Sequence, residues 1–291
     1  MARCHLLRMD RGQGHRHKTT SGGPVSGRLQ GRRAIVVGGG QTPGATTGNG
    51  RAVVLSFARE GAQVLVVDRD LDSAEESAEL VRKEGGTATA HRADITVEDE
   101  CAGILDAALA VLGHVDVLHN NVGVVPAGRT EDLGAQTWRQ GFEVNLTSMW
   151  LTCKAVLPHM RQRRSGAIVN ISSMAGLLAG GEAIAYTTSK AAVHAMTRSL
   201  ALEYAPHGIR VNCIAPGMMD TPMGVDAPAR AEGSSREDVA AKRAALVPMG
   251  HQGTCWDVAN AALFLASQEA AFITGTVLAV DGGFTLTSRM S

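Results

Sequence analysis

Six short, mostly apolar runs and one β-favouring segment, separated by segments of helical character, set the architecture of this 291-residue chain. Read as strands, they are Ala34–Val37, Val64–Val67, Thr87–His91, Val115–Leu118, Ala167–Ile171, Ile209–Ile214 and Val277–Val280. Continuous apolar strands belong to a parallel sheet covered on both faces, because a face left to water would impose alternation. The segments between them read as helices Asn49–Glu60, Leu71–Glu84, Glu98–Leu112, Thr137–Arg163, Ala183–Tyr204 and Trp256–Ala266. Pro158 is expected to bend or end the last turns of the fourth. The fold class predicted is α/β: a single doubly wound Rossmann domain on a mainly parallel seven-stranded sheet, spanning residues 28–291.

Composition narrows the setting. Apolar residues make up 44% of the chain, ample for a core. The apolar stretches reach only about six residues, as in Ala261–Ala266, against roughly 18–20 for a membrane helix. Five cysteines (Cys4, Cys101, Cys153, Cys213, Cys255) are an odd, widely spaced set. They fit neither a disulfide framework nor a zinc site, and a reducing, cytoplasmic setting is expected. The histidines show no ligand spacing, so no metal is expected. Net charge is zero, but residues 1–27 hold Arg3, Arg8, Arg11, Arg16 and Lys18 against Asp10. This head lacks an apolar period and reads as a disordered basic extension rather than a nucleic-acid or membrane arm.

In doubly wound sheets, ligands bind at the carboxyl ends of the strands. The first strand runs into Gly38-Gly39-Gly40-Gln41-Thr42-Pro43-Gly44-Ala45-Thr46-Thr47-Gly48-Asn49-Gly50 and directly into a helix. Glycines let a backbone approach a pyrophosphate, and the helix N-terminus offers oriented N–H groups. Asp68 ends the second strand 18 residues beyond Gly50, suited to accept hydrogen bonds from ribose hydroxyls. Arg69 follows it and pulls the other way, toward a 2′-phosphate. Asp68 outweighs it because the strand end holds the carboxylate in place, and NAD is the expected cofactor. Further on, Ser173 follows the fifth strand, and Tyr186 and Lys190 share a helix face at i and i+4.

With these motifs in order, the chain from about Gly31 to Phe284 resembles a short-chain dehydrogenase/reductase. The resemblance is carried by Asn120-Asn121-Val122-Gly123, Val144-Asn145-Leu146, Ile168 to Ser173, Tyr186-x-x-x-Lys190, Asn212 to Gly217, and Val280-Asp281-Gly282-Gly283. It implies Asn145, Ser173, Tyr186 and Lys190 as the catalytic set. It also implies cofactor contacts from Gly39, Gly48, Asn49 and Gly50, from Asp94 with Ile95, and from Asn121 and Gly123. Tyr186 and Lys190 would reach the cofactor too, and Pro216, Gly217, Met219 and Thr221 would embrace the nicotinamide. A homotetramer is implied as well. The chain departs from the family's glycine loop: Gly39 to Gly48 spans nine residues where four are usual, an insertion of five.

The implied chemistry is hydride transfer between a small secondary alcohol, or its ketone, and the nicotinamide. A tyrosine of ordinary pKa near 10 is a poor base at pH 7. An ammonium about 4 Å away, at an effective dielectric of about 20, would favour the phenolate by roughly 4 kcal/mol. Lys190 is the group expected to do this. Ser173 would orient the substrate oxygen, and Asn145 would hold a water linking Lys190 to solvent. A different class remains open at this level: a catalytically silent dinucleotide-binding regulatory protein. The intact Asn/Ser/Tyr/Lys set weighs against it.

Overall fold

A computed structural model describes residues 27–179 and 182–287. The basic head, apart from Gly27, therefore lies outside the described residues. The expected segments do form the sheet: β1 (Arg33–Val37), β2 (Gln63–Asp68), β3 (Thr87–Arg92), β4 (Val117–Asn120), β5 (Gly166–Ile171) and β6 (Ile209–Pro216). Its seventh strand is β9 (Val277–Val280), and the order β3-β2-β1-β4-β5-β6-β9 is parallel throughout. A separate parallel pair, β7 (Met219–Asp220) and β8 (Gly253–Thr254), ties together the segment after β6. The switch in strand order falls between β1 and β4, where a crevice opens at the carboxyl ends.

Helices cover both faces. On one side lie α1 (Asn49–Arg59), α2 (Leu71–Lys83) and α9 (Cys255–Ala266). Val53, Val54, Phe57, Val258 and Ala262 are wholly buried there against Val36, Val64 and Val66. On the other lie α3 (Glu98–Leu112), α5 (Ser148–Arg163) and α6 (Ile184–Tyr204), where Ile104, Val156 and Met160 pack on Ile35, Leu118 and Ile168. Cys153 and Cys213 sit in this interior, and burial pushes both thiols up to about 12, so they stay protonated and inert.

Three details differ from the sequence reading. The strand expected at Val115–Leu118 lies two residues later, because Asn120 is held in the interior by Asn170 (3.0 Å) and Thr152 (2.8 Å). The long helix from Thr137 is two helices, α4 (Ala135–Phe142) and α5, joined by a π-turn over Glu143–Thr147. Pro158 does not end α5, which runs to Arg163 with Leu157 and Met160 buried beside the proline. Core packing outweighs the hydrogen bond that the proline forgoes. Two short helices, α7 (Ala227–Glu232) and α8 (Arg236–Ala244), were not anticipated, and they follow the β7 segment. Among the described residues no helix is long and apolar enough to cross a membrane.

Candidate active site

The glycine-rich loop wraps the end of β1 and enters α1. A Cβ at Gly50 would lie 1.8 Å from the Gly38 carbonyl oxygen, so only glycine allows α1 to begin this close to the strand. Among the described residues no side chain caps the first turn of α1, and Asn49 Oδ1 is buried there without a partner. Unclaimed N–H groups at the start of a helix suit a bound phosphate, whereas Asn49 Oδ1, an acceptor, is left for a hydroxyl donor. Gly39 donates to the Val67 carbonyl, and Gly48 donates to Gln41 Oε1 (2.9 Å). Asp68, at the end of β2, accepts from Gly40 N (3.0 Å) and Asp70 N (3.2 Å), which fixes the carboxylate at the crevice. Arg69 is exposed beside it. Next along the edge, Asp94 accepts from Thr96 N and Oγ1, bonds that hold it below the usual carboxylate range. Ile95 is buried at the same edge. These residues fit a dinucleotide.

The inserted loop residues have a visible role. Gln41 Nε2 donates to the Thr42 and Thr46 carbonyls, folding the loop on itself. Its tip then reaches β7 and the segment after it: Ala45 N donates to Asp226 Oδ1 (3.0 Å), and Thr46 Oγ1 donates to the Asp220 carbonyl (3.4 Å). The loop and the residues over the crevice are thus clasped together. This contact is invisible to local sequence patterns, because its partners are some 180 residues apart.

The four residues of the resemblance converge at the ends of β4 and β5. Asn145, in the π-turn and fully buried, accepts from Val124 N (2.8 Å) and donates to Val124 O and Ser189 Oγ (3.0 Å each). Lys190 Nζ donates to the Ile171 carbonyl (3.0 Å). A Cβ at Gly123 would meet Lys190 Nζ at 3.1 Å and Asn145 Oδ1 at 3.4 Å, so the glycine leaves room for both. Asn121 Nδ2 donates to Gly38 O (3.2 Å), joining this turn to the glycine loop. Ser173 Oγ accepts from Ala175 N, and Ser172 Oγ donates to the Lys190 carbonyl (2.8 Å), seating α6 on β5. Pro216 and Gly217 follow as β6 ends, with Met219 and Thr221 buried beyond.

The electrostatics differ from expectation. Burial raises the Tyr186 phenol above its usual value; the Ser173 hydroxyl and then the Arg243 guanidinium pull it back. Lys190 Nζ lies 5.9 Å from the Tyr186 ring centroid, and burial lowers it to about 8. Arg243 is thus a second cation acting on the phenol, besides Lys190 over its ring. No motif in the sequence marks Arg243. Its one local signal is its place seven residues after Arg236, on the same face of α8.

Comparison with known proteins identifies the family. Residues 44–285 match the family model described as Enoyl-(Acyl carrier protein) reductase. The chain is 40% identical to cis-4-hydroxycyclohexanecarboxylate dehydrogenase of Sinomonas cyclohexanicum, over 83% of this chain and 94% of that protein. The chain belongs to the short-chain dehydrogenase/reductase family. This short-chain dehydrogenase/reductase is also 36% identical to 3β-hydroxysteroid dehydrogenase 1 of Eggerthella lenta, over 89% of this chain and 95% of that protein. A solved short-chain dehydrogenase/reductase from Burkholderia xenovorans superposes with a TM-score of 0.83 at 43% identity, covering 91% of this chain and 100% of that one. The family's oxidoreductase chemistry, with a nicotinamide dinucleotide as cofactor, follows for this chain.

Proposed function

We propose that this oxidoreductase interconverts a secondary alcohol on a small, ring-like body with its ketone, with NAD(H) preferred over NADP(H). One observation carries the reading: the Tyr186 phenol, the Ser173 hydroxyl and the Lys190 ammonium meet at the open end of the sheet, beside the dinucleotide cradle. The named relatives that act on ring alcohols support the substrate class. A bound nicotinamide dinucleotide supplies the hydride acceptor or donor. Gly39, Gly48, Asn49 and Gly50 would hold its pyrophosphate, Asp68 its adenosine ribose, and Asp94 and Ile95 its adenine. Asn121, Gly123, Pro216, Gly217, Met219 and Thr221 would line its nicotinamide half.

The chain's residues handle the proton. Ser173 Oγ hydrogen-bonds the carbinol oxygen and fixes its orientation. Tyr186 takes the hydroxyl proton during oxidation and returns it during reduction. Burial keeps the resting phenol protonated, the state needed to donate to a developing alkoxide. Lys190 orients beneath Tyr186 and would also reach the nicotinamide ribose, while Asn145 braces the turn that carries Val124 toward α6. A homotetramer built on α4, α5 and α6 is part of the same reading, and a monomer mass by light scattering would count against it. Initial rates for a panel of cycloalkanols with NAD⁺, followed as NADH absorbance, test the function. Absence of turnover despite NADH binding would overturn it in favour of a silent dinucleotide-binding protein.

A further inference from the structure

We propose that Arg243 is the anion receptor of the substrate pocket, so that the alcohol handled here carries a carboxylate-like group near its carbinol carbon. The inference rests on the dehydrogenase reading above and names the substrate class for that site. It starts from two arginines on one face of α8. Arg236 is ion-paired: its guanidinium pairs with Asp220 and lies 3.6 Å from Asp226. Arg243 has no carboxylate at ion-pair distance among the described residues. Its Nε donates to a neutral acceptor, Gln252 Oε1 (2.9 Å), and its Nη2 lies 3.4 Å from where a Gly224 Cβ would sit. The guanidinium is thus held under the segment that follows Thr221, half-buried.

Withdrawing a guanidinium from water without an anion is costly, so a site that keeps one is prepared for a charged partner. Five N–H donors are available, and Gln252 uses one. The planar fork fits a carboxylate with two parallel hydrogen bonds. The location is geometric: the same Gly224 Cβ position lies 3.2 Å from Thr221 Oγ1, so the guanidinium sits against the segment that lines the nicotinamide half, and Asp220 and the Tyr186 phenol are its electrostatic neighbours. Burial lowers Arg243, and these two groups oppose the effect; the guanidinium in turn works against the burial that raises Tyr186. The other nearby cation, Lys190, is bound to the Ile171 carbonyl. A hydroxy acid whose carbinol meets Tyr186 and Ser173 would place its anion toward Arg243. A cofactor phosphate has the same chemistry, but the Tyr186 neighbourhood belongs to the substrate side.

The test compares two cyclohexanols that differ only in a ring carboxylate against its methyl ester, with NAD⁺ in excess. The unmutated enzyme should favour the carboxylate in kcat/KM. Arg243→Met should cut the carboxylate-to-ester ratio roughly 10- to 150-fold, mainly through KM for the carboxylate. Arg243→Lys should recover part of it. Equal use of both alcohols by the unmutated enzyme overturns the proposal and leaves the dehydrogenase reading standing. So does an equal loss on both alcohols in a variant that still melts cooperatively. A loss confined to KM for NAD⁺ assigns Arg243 to the cofactor and overturns it too. If Arg243→Met does not fold, the preference of the unmutated enzyme and the Arg243→Lys ratio decide. No turnover of either alcohol refutes the dehydrogenase reading itself.

Discussion

Replacing Lys190 by methionine should stabilise the cofactor-free protein while abolishing turnover. The side chain is 3% exposed, and its Nζ donates to the Ile171 carbonyl. Burial lowers it from an ordinary 10.5 to about 8. At about 1.36 kcal/mol per pKa unit, keeping the ammonium charged in the folded chain at pH 7 costs roughly 3 kcal/mol. Methionine fills a similar volume and removes that cost, but it leaves the Ile171 carbonyl short of a donor, worth about 1 kcal/mol. The net expectation is a gain of about 2 kcal/mol at pH 7. The unfolded chain binds the lysine proton more tightly than the folded one. The cost is therefore full below the folded pKa of about 8, shrinks as pH rises, and disappears above 10.5. Urea unfolding of both proteins at pH 7 and pH 10 reads this directly, with the advantage of the variant fading to nearly nothing at the higher pH. A variant less stable than its parent at pH 7, or an advantage that grows with pH, would refute the reasoning. The outcome expected is a stability–activity trade-off at one residue.

Three other expectations follow from the site. Tyr186→Phe keeps the ring but loses the proton carrier, so kcat should fall about 10²- to 10⁴-fold while NADH still binds by fluorescence titration; near-normal turnover would remove Tyr186 from its assigned role. Asp68→Ala leaves the exposed Arg69 unopposed at the ribose edge and should narrow the NAD⁺ preference by roughly 5- to 150-fold in kcat/KM. An unmutated enzyme faster with NADPH would show that another group sets the choice. Asp226→Ala removes the acceptor of Ala45 N and a partner of Arg236, and should weaken NADH binding roughly 3- to 10-fold. An unchanged Kd would show that the clasp does not hold the loop over the cofactor.

What could be read in the sequence was what depends on neighbours along the chain. The strands of the sheet announce themselves because runs such as Ala34–Val37 and Val64–Val67 are buried on both faces. Tyr186 and Lys190 share a face by helix periodicity alone, and Asp68 is positioned by the end of its own strand. The rest depends on partners far away in the chain. The docking of Ala45 on Asp226, the seating of Arg243 on Gln252 beneath Gly224, and the role of Asn120 within β4 are set by tertiary contacts with no local signature. The helix continues past Pro158 to Arg163 for the same reason: its neighbours Leu157 and Met160 are buried deeply enough to carry α5 past it.

The π-turn at Glu143–Thr147 acts as a phase shifter between two helices. Each residue of an α-helix turns the next by about 100°, so one extra residue in a single ring rotates everything downstream by that amount. Deleting one residue here would restore an unbroken α-helix from Ala135 to Arg163. It would also swing the face bearing Cys153, Val156 and Met160 away from the sheet, and carry Asn145 off Val124 and Ser189. The angular setting of a whole core helix and the aim of one polar side chain thus share a single degree of freedom. In a chain of this design, length at that turn is as constrained as residue identity.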